Sequence, residues 1–387
     1  MGEWNSRKRF TTTMNHQEPD RIPINFGGCI ATGILHSPPD AVALTRLYKY
    51  LGINDYEEPE IGPWANVVTN IDERVMKIFG NDFKMISPSS GGIKLEPDGT
   101  KTLLGVFCGL MIKSTGIYDD VFDFPLKNCT SKKDIDNYPY WPTDEDYKRL
   151  AEGKVEEVKR IRKSTDYVIF EDSYKAYPSL MYALLSGYEK WFLDMKLDPK
   201  FFFYLSDKLF EVGLKMVEHW IGPIGKYIDV VTTYDDLGSQ SGPLMSHDDY
   251  VKFIKPYEKR MIEHIKKYTD AKIYRHSCGS VYDFIPDFIE IGVEILNPLQ
   301  PLAKNMEPWR IKKEFGKDLV LFGGVDTQQL LYQSVDNVRK GVQEMIRVYA
   351  PGGGYIFGTA HNIEPDIPEE NIAAVFETAI EYGRYPI

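Results

Sequence analysis

The chain has 387 residues, with 46 Lys and Arg against 57 Asp and Glu and a formal net charge of −11, which excludes the basic footprint of a nucleic-acid-binding protein. At 43% hydrophobic and 27% charged, the composition is that of a globular protein with a large core, neither disordered nor fibrous. The four cysteines, Cys29, Cys108, Cys129 and Cys278, form no C-x-x-C pair and are too few for a disulfide scaffold, so any working cysteine acts as a single thiolate.

In chain order, the opening MGEWNSRKRF has no apolar stretch behind its basic residues, and no run of about 18 apolar residues follows anywhere. Neither a signal peptide nor a membrane span is expected, and the expected location is cytoplasmic. The first candidate strand is Ile22 to Phe26 (IPINF), the second Phe83 to Ile86 (FKMI). Residues 88–142 then break the rhythm: Pro97-Asp98-Gly99 between alternating runs predicts a hairpin, followed by the Pro- and Asn-rich segment 125–142. This stretch reads as an insertion on a loop, serving as lid or pocket wall, or equally as a structural cover or a homodimer contact.

From residue 167 onward, short β-branched or aromatic runs alternate with amphipathic segments. YVIF (167–170) precedes a helix over 178–195, YIDVVTT (227–233) one over 247–268, and KIY (272–274) one over 281–289. VEIL (293–296), LVLF (319–322) and GYIF (354–357) precede helices over 307–315, 335–349 and 369–382. Six strand-then-helix units plus two upstream strands make eight, the number that closes a (β/α)8 TIM barrel. The expectation is one α/β domain over 1–387, a barrel with an N-terminal extension and the hairpin-containing insertion. No G-x-G-x-x-G fingerprint or Walker A loop follows any of these strands, and Gly352 to Gly354 read as a helix-to-strand turn.

Polar residues stand at six successive strand ends: Glu171-Asp172-Ser173-Tyr174, Tyr234 to Gln240, His276-Ser-Cys278-Gly, Asn297 to Gln300, Gly323 to Gln328, and His361-Asn362. Chemistry in barrels of this kind sits at that rim. Asp236, Ser280 and Asp326 also suit helix caps. His276 and Cys278, two residues apart on a strand end, can face one side and grip a soft or borderline metal, typically zinc. His361 is the best-placed third ligand, with Cys29 and Glu171 as alternatives. Asp235 and Asp236 could serve as acid and base, but neighbours on a strand point to opposite faces.

The segments Asp235-Asp236-Leu-Gly-Ser-Gln240, His276-Ser-Cys-Gly279, Gly292 to Pro298, Phe322 to Gln328 and His361 to Pro365, with Asp20-Arg-Ile-Pro23, resemble the uroporphyrinogen decarboxylase superfamily. The resemblance covers nearly the whole chain and implies a (β/α)8 barrel. The superfamily's decarboxylases carry Arg-Gln-Ala-Gly-Arg-Tyr near the first strand, where this chain has Asn25 to Thr32 (NFGGCIAT) without arginine. That removes the counter-ions for a tetrapyrrole with many carboxylates.

The sequence is more similar to the corrinoid-dependent methyltransferase branch of anaerobes, and within it to the methyltransferase component of aryl methyl ether O-demethylases. That likeness implies zinc on His276 and Cys278, with His361 in the neighbourhood where coenzyme M enzymes carry a later cysteine, acting as third ligand or acid. It further implies catalytic work for Asp236, with Asp235, Gln240, Asn297, Gln300 and Asn362 orienting a methoxyaromatic substrate and Tyr174 and Tyr177 lining its pocket. The methyl acceptor is then the cobalt (cobalamin) of a separate corrinoid protein, and no membrane or nucleic acid takes part. The alternatives are decarboxylation of a small acid, methylcorrinoid:thiol methyl transfer, and corrinoid or tetrapyrrole binding without catalysis.

Overall fold

Short runs of β-branched and aromatic residues become parallel strands here because long amphipathic segments separate them and supply the crossovers. The computed structural model describes residues 3–35, 42–62, 67–89, 91–115, 119–173, 175 and 177–387, with 42 and 43 by backbone alone. Among them, seven strands form one parallel sheet in chain order: β1 (Phe83–Ile86), β2 (Val168–Glu171), β3 (Val230–Tyr234), β4 (Lys272–His276), β5 (Ile295–Asn297), β6 (Val320–Val325) and β7 (Tyr355–Thr359). The sheet curls on itself. Phe83 on β1 stacks with Phe322 on β6 at 6.5 Å between ring centroids, a contact that strands so far apart in order could not make across a flat sheet.

The expected eighth strand is the main departure, so the sheet is a curled seven-stranded one rather than the closed eight-stranded barrel. Segment 22–26 makes a single parallel bridge, Ile24 to Phe357. Its backbone still reaches both edges: Asn25 N–H donates to Phe357 O at 2.9 Å, Phe357 N–H to Pro23 O at 2.8 Å, and Asp82 N–H to Ile24 O at 2.9 Å. Pro23 has no N–H to give to a ladder. Side chains take the next two donors, Asp82 Oδ2 accepting from Ile24 N at 2.9 Å and Asn81 Oδ1 from Phe26 N at 3.0 Å. Asp82 is buried and also accepts from Arg9 at 2.6 Å, Arg21 at 2.8 Å and Ser6 Oγ at 2.8 Å. The N-terminal extension, helix Ser6–Met14, is tied down by these bonds and sets Phe10 against Phe83 at 5.9 Å.

Alternation along the strands sorts the core into two layers. Phe83, Val168, Phe170, Val230, Tyr274, Ile295, Val320, Phe322 and Ile356 meet on the concave side, whereas Ile169, Val231, Ile273, Leu296, Leu321 and Phe357 join the larger layer beneath the helices. Helices occupy the expected stretches with two breaks. Gly187, at φ +88, divides the segment after β2 into Pro178–Ser186 and Tyr188–Leu197. The segment after β3 opens into a π-turn, Tyr250–Ile254, just before Pro256, whose missing N–H breaks the α ladder. Helix Pro199–Met216 was not among the expected ones.

Within 88–142 the expected hairpin forms, with Ile93 opposite Leu103 and Leu95 opposite Lys101. It extends into a four-stranded antiparallel sheet with Leu110–Ser114 and Asp119–Asp123. Ser131 and Thr143 cap two short helices behind it by reciprocal bonds with Asp134 and Asp146. Among the described residues no helix is long and apolar enough to cross a membrane.

Candidate metal centre at the carboxyl ends of the strands

The alternation that sorts the core also sorts the polar residues at the strand ends. On β4 the concave positions 274, 276 and 278 continue from Tyr274 through His276 to Cys278, and on β3 they run through Thr232 and Tyr234 to Asp236. Asn297 follows Ile295 on β5, and Asp172 follows Phe170 on β2. Residues of opposite parity, Arg275, Asp235 and Glu171, turn towards the helices. One rule therefore separates the candidates that converge from those that do not.

Nitrogen and sulfur atoms of His276, Cys278 and His361 all lie within 4.8 Å of one another. Cys278 Sγ is 3.3 Å from His276 Nε2, and the two imidazole centroids are 5.8 Å apart. Zinc bonds of about 2.0–2.3 Å place tetrahedral ligand atoms ~3.5 Å apart, so this donor set fits such an ion with small side-chain adjustments. Asn297 fixes the ligand tautomer. Its Nδ2 donates to Phe322 O at 3.3 Å, so its Oδ1 is the acceptor that meets His276 Nδ1 at 2.8 Å and the Tyr274 hydroxyl at 2.5 Å. Nδ1 then carries the proton and Nε2 presents its lone pair to the group, as an outer-shell partner of a metal-binding histidine does.

The loop bearing Cys278 is clamped from three sides. Cys278 N–H donates to Asp236 Oδ1 at 2.9 Å, Gly279 N–H to Gln300 Oε1 at 2.6 Å, and Ser280 N–H to Ser239 O at 2.8 Å. Gly279 sits at φ +80, and a Cβ there would lie 2.5 Å from the Gly238 carbonyl carbon; only glycine fits this crossing of two backbones.

Electrostatics suit a cation. Burial, reinforced by the positive His276 form, lowers His361 to about 4, and burial likewise lowers His276, so both imidazoles are neutral and ligand-competent at pH 7. A neutral His361 is suited to ligation rather than to acting as the acid. Burial and then Asp236 push the Cys278 thiol well up, a balance that a bound divalent ion reverses. Asp236 Oδ1 lies 3.8 Å from His276 Nε2.

The other candidates are placed as follows. Asp235 is buried, accepts from Ser179 Oγ and faces Glu258 and Arg275 beneath the helices, so it cannot orient a substrate in the mouth. Tyr177 is buried in the same layer, in the field of Arg275, Glu258 and Asp235, and does not line the mouth. Glu171 binds Lys175 at 2.7 Å and Trp220 Nε1 at 2.7 Å, and Cys29 is buried 3.3 Å from Thr32 Oγ1, its thiol pushed up to about 12 by burial. Neither joins the group. Gln300 holds the Cys278 loop, Asn362 Oδ1 accepts from Gly33 N at 3.2 Å, and Gln240 has an exposed side chain. Asp326 caps the following turn, accepting from Gln328, Gln329 and Leu330. Tyr174 lies outside the described residues.

Asp172 and Tyr234 are functional candidates that the sequence reading left out of its site, although both belong to the polar rim. The Tyr234 hydroxyl donates to Asp172 Oδ1 at 2.6 Å, Ile30 N–H donates to Oδ2 at 2.6 Å, and the Tyr234 ring lies 5.1 Å from the His276 ring. Burial raises the Asp172 carboxyl to about 6 against the pull of these two bonds. The folded state therefore binds more protons than the unfolded chain between about pH 4 and that value. Stability from this group is complete below about pH 4 and is lost as pH rises through 6. Urea unfolding across this range is expected to show that fall, and Asp172→Asn, uncharged throughout, to flatten it.

The uroporphyrinogen decarboxylase (URO-D) family model matches residues 175–382, more than half of the chain. A uroporphyrinogen decarboxylase from Chlorobium phaeobacteroides is 25% identical over 189 residues, covering 47% of this chain and 50% of its own length. One from Nitrosococcus oceani is 26% identical over 152 residues, covering 37% and 41%. The chain thus spans half or less of the length of these curated relatives. The solved structure of a methyltransferase from Methanosarcina mazei shares the fold over 98% of this chain and 99% of its own, with a TM-score of 0.67 and 18% identity.

Proposed function

The chain belongs to the uroporphyrinogen decarboxylase (URO-D) family, and from that membership we propose that it is a cytoplasmic methyltransferase that moves the methyl group of a methoxylated aromatic compound to the cobalt of a separate corrinoid protein. The observation that carries the reading is the His276, Cys278 and His361 group, whose ligand atoms lie within 4.8 Å of one another at the strand ends. A thiol and two neutral imidazoles gathered there make a metal-ligand set, and ether cleavage requires help for a departing phenolate oxygen. The fold shared with a methyltransferase over nearly the full length of both chains supports the same branch.

His276, Cys278 and His361 would hold zinc, which would supply a Lewis acid for negative charge on the leaving oxygen. The chain's own residues do the rest. Asn297 keeps His276 in the ligating tautomer, Asp236 holds the Cys278 loop through its backbone N–H, and Gln300 holds the same loop through Gly279. Asn297→Ala is expected to weaken zinc binding about 10–100-fold, the usual cost of losing an outer-shell partner, read by competition with a chromogenic chelator.

A second reading, decarboxylation of a small acid, is favoured by the names of the curated relatives. Against it, Arg275 beside the dyad is committed to Glu258, and the stretch Asn25 to Thr32 offers no guanidinium. Incubating the zinc-loaded protein with an aryl methyl ether and cob(I)alamin tests the proposal: phenol and methylcobalamin in equal amounts are expected. No methyl transfer from a panel of ethers, together with CO2 release from small aryl acids, would replace it by the second reading.

A further inference from the structure

The concave layer of the sheet is apolar, with Phe83, Phe170, Ile295 and Phe322 among its members, apart from the Cys29 thiol and the Tyr274 hydroxyl. Tyr274 is fully buried, its ring centroid 5.0 Å from that of Phe170 and 5.8 Å from that of Phe322. A phenylalanine would fill the same space, and a buried hydroxyl costs free energy unless it is bonded, so packing alone does not call for tyrosine. The protons around it can be assigned in turn. Thr32 Oγ1 donates to Asn25 Oδ1 at 2.7 Å, so in its 3.3 Å contact with Cys29 the thiol is the donor. Cys29 also lies beside the Tyr274 hydroxyl, but there its sulfur can only accept, and sulfur accepts weakly. The one hydroxyl proton of Tyr274 therefore goes to Asn297 Oδ1, at 2.5 Å.

We propose that Tyr274 is a positioning residue of the metal-binding group: its hydroxyl holds the Asn297 amide with Oδ1 towards His276, and through Asn297 it keeps the His276 Nε2 lone pair free for a metal ion. An asparagine amide has nearly the same shape when turned over, and the hydrogen bonds around it decide between the two orientations. Turned over, Nδ2 would donate to His276 Nδ1, the ring proton would move to Nε2, and that nitrogen could no longer ligate. Two contacts oppose the turn. One is the Tyr274 bond at 2.5 Å, and the other is the Nδ2 bond to Phe322 O at 3.3 Å, which would become a meeting of two acceptors. The second is longer than the usual N–H···O range, so the hydroxyl is the closer of the two determinants. The inference rests on the metal centre of the proposed function and not on methyl transfer, and the metal-free protein suffices to test it.

Nitrogen-15 NMR of the His276 ring in the metal-free full chain, with zinc titrations beside it, tests the proposal. The parent protein is expected to show the tautomer protonated on Nδ1. Tyr274→Phe, which keeps the ring and removes only the hydroxyl, should shift the ratio of the two tautomers about 10-fold towards protonated Nε2, the change one hydrogen bond provides. In an Asn297→Ala background the same substitution should shift the ratio no further, because the hydroxyl acts through that amide. Zinc binding should weaken in Tyr274→Phe by less than in Asn297→Ala. A parent ring protonated on Nε2 overturns the proposal and needs no variant that folds. So does an unchanged ratio in folded Tyr274→Phe, which is what a packing role alone would give, or an equal shift in both backgrounds, or a larger loss of zinc affinity than Asn297→Ala causes. A parent chain that shows the expected tautomer and shift but binds no zinc would remove the zinc reading alone.

Discussion

Cys278→Ser is expected to leave the fold intact, bring bound zinc from about one equivalent to near none, and cut methyl transfer by more than about 100-fold. The magnitude follows from comparison: losing an outer-shell partner of a metal ligand costs about 10–100-fold, and this change removes a ligand itself. The side chain is half-buried at the mouth and its loop is held by backbone bonds to Asp236, Gln300 and Ser239, none of which uses the sulfur. Circular dichroism and thermal unfolding should therefore match the parent chain. Retained zinc and retained transfer in this variant would remove Cys278 from the centre.

Arg275→Met is expected to destabilise the protein by about 3–5 kcal/mol, the usual consequence of breaking a buried ion pair from one side. The Arg275 and Glu258 side chains are each 2% exposed and directly paired. Glu258 also accepts from the Tyr250 hydroxyl at 2.7 Å, and the guanidinium lies 4.9 Å over the Phe288 ring. Removing the cation leaves Glu258 facing Asp235, whose carboxyl burial already pushes well up. The double variant Arg275→Met with Glu258→Leu should recover much of the loss, because no buried charge is then stranded. Urea midpoints of the two variants read this directly. Zinc affinity should change little in the variant that folds, since Arg275 and His276 face opposite sides of β4. A single variant as stable as the parent would contradict the account of this layer.

Much of this arrangement was legible in the sequence where local pattern and tertiary packing agree. Strand 83–86 and helices 335–349 and 369–382 fell where their periodicity put them, because apolar parity and helical spacing are what the sheet and its helices bury. The hairpin at Pro97-Asp98-Gly99 was legible for a similar reason: its glycine takes a positive φ of +85 that other residues avoid. The eighth strand is reduced to a single bridge: IPINF has strand composition and keeps backbone bonds to both edges, yet the Ile24 and Phe26 N–H groups go to the side chains of Asp82 and Asn81 about 55 residues later, a substitution no local pattern reveals. Helix 178–195 was read as continuous because the apolar periodicity runs across Gly187, whose φ of +88 breaks it.

At the site, the pairing of His276 with Cys278 was visible from spacing alone, and His361 from its place at the last strand end. Asp235 and Tyr177 were misplaced because proximity in sequence to the rim was given more weight than parity. Counting by twos from Val230 reaches Asp236 and skips Asp235; the same count from Phe170 reaches Asp172, which the sequence reading passed over. That signal was present in the apolar residues of each strand, and it needed only to be carried past the strand ends.

The most direct test is anomalous diffraction at the zinc edge from crystals of the protein grown with one equivalent of zinc. The account predicts one peak within bonding distance of His276 Nε2, Cys278 Sγ and a His361 ring nitrogen, with Asn297 Oδ1 still on His276 Nδ1. Zinc bound elsewhere on the chain, or no peak at this group in crystals whose protein contains zinc, would contradict it.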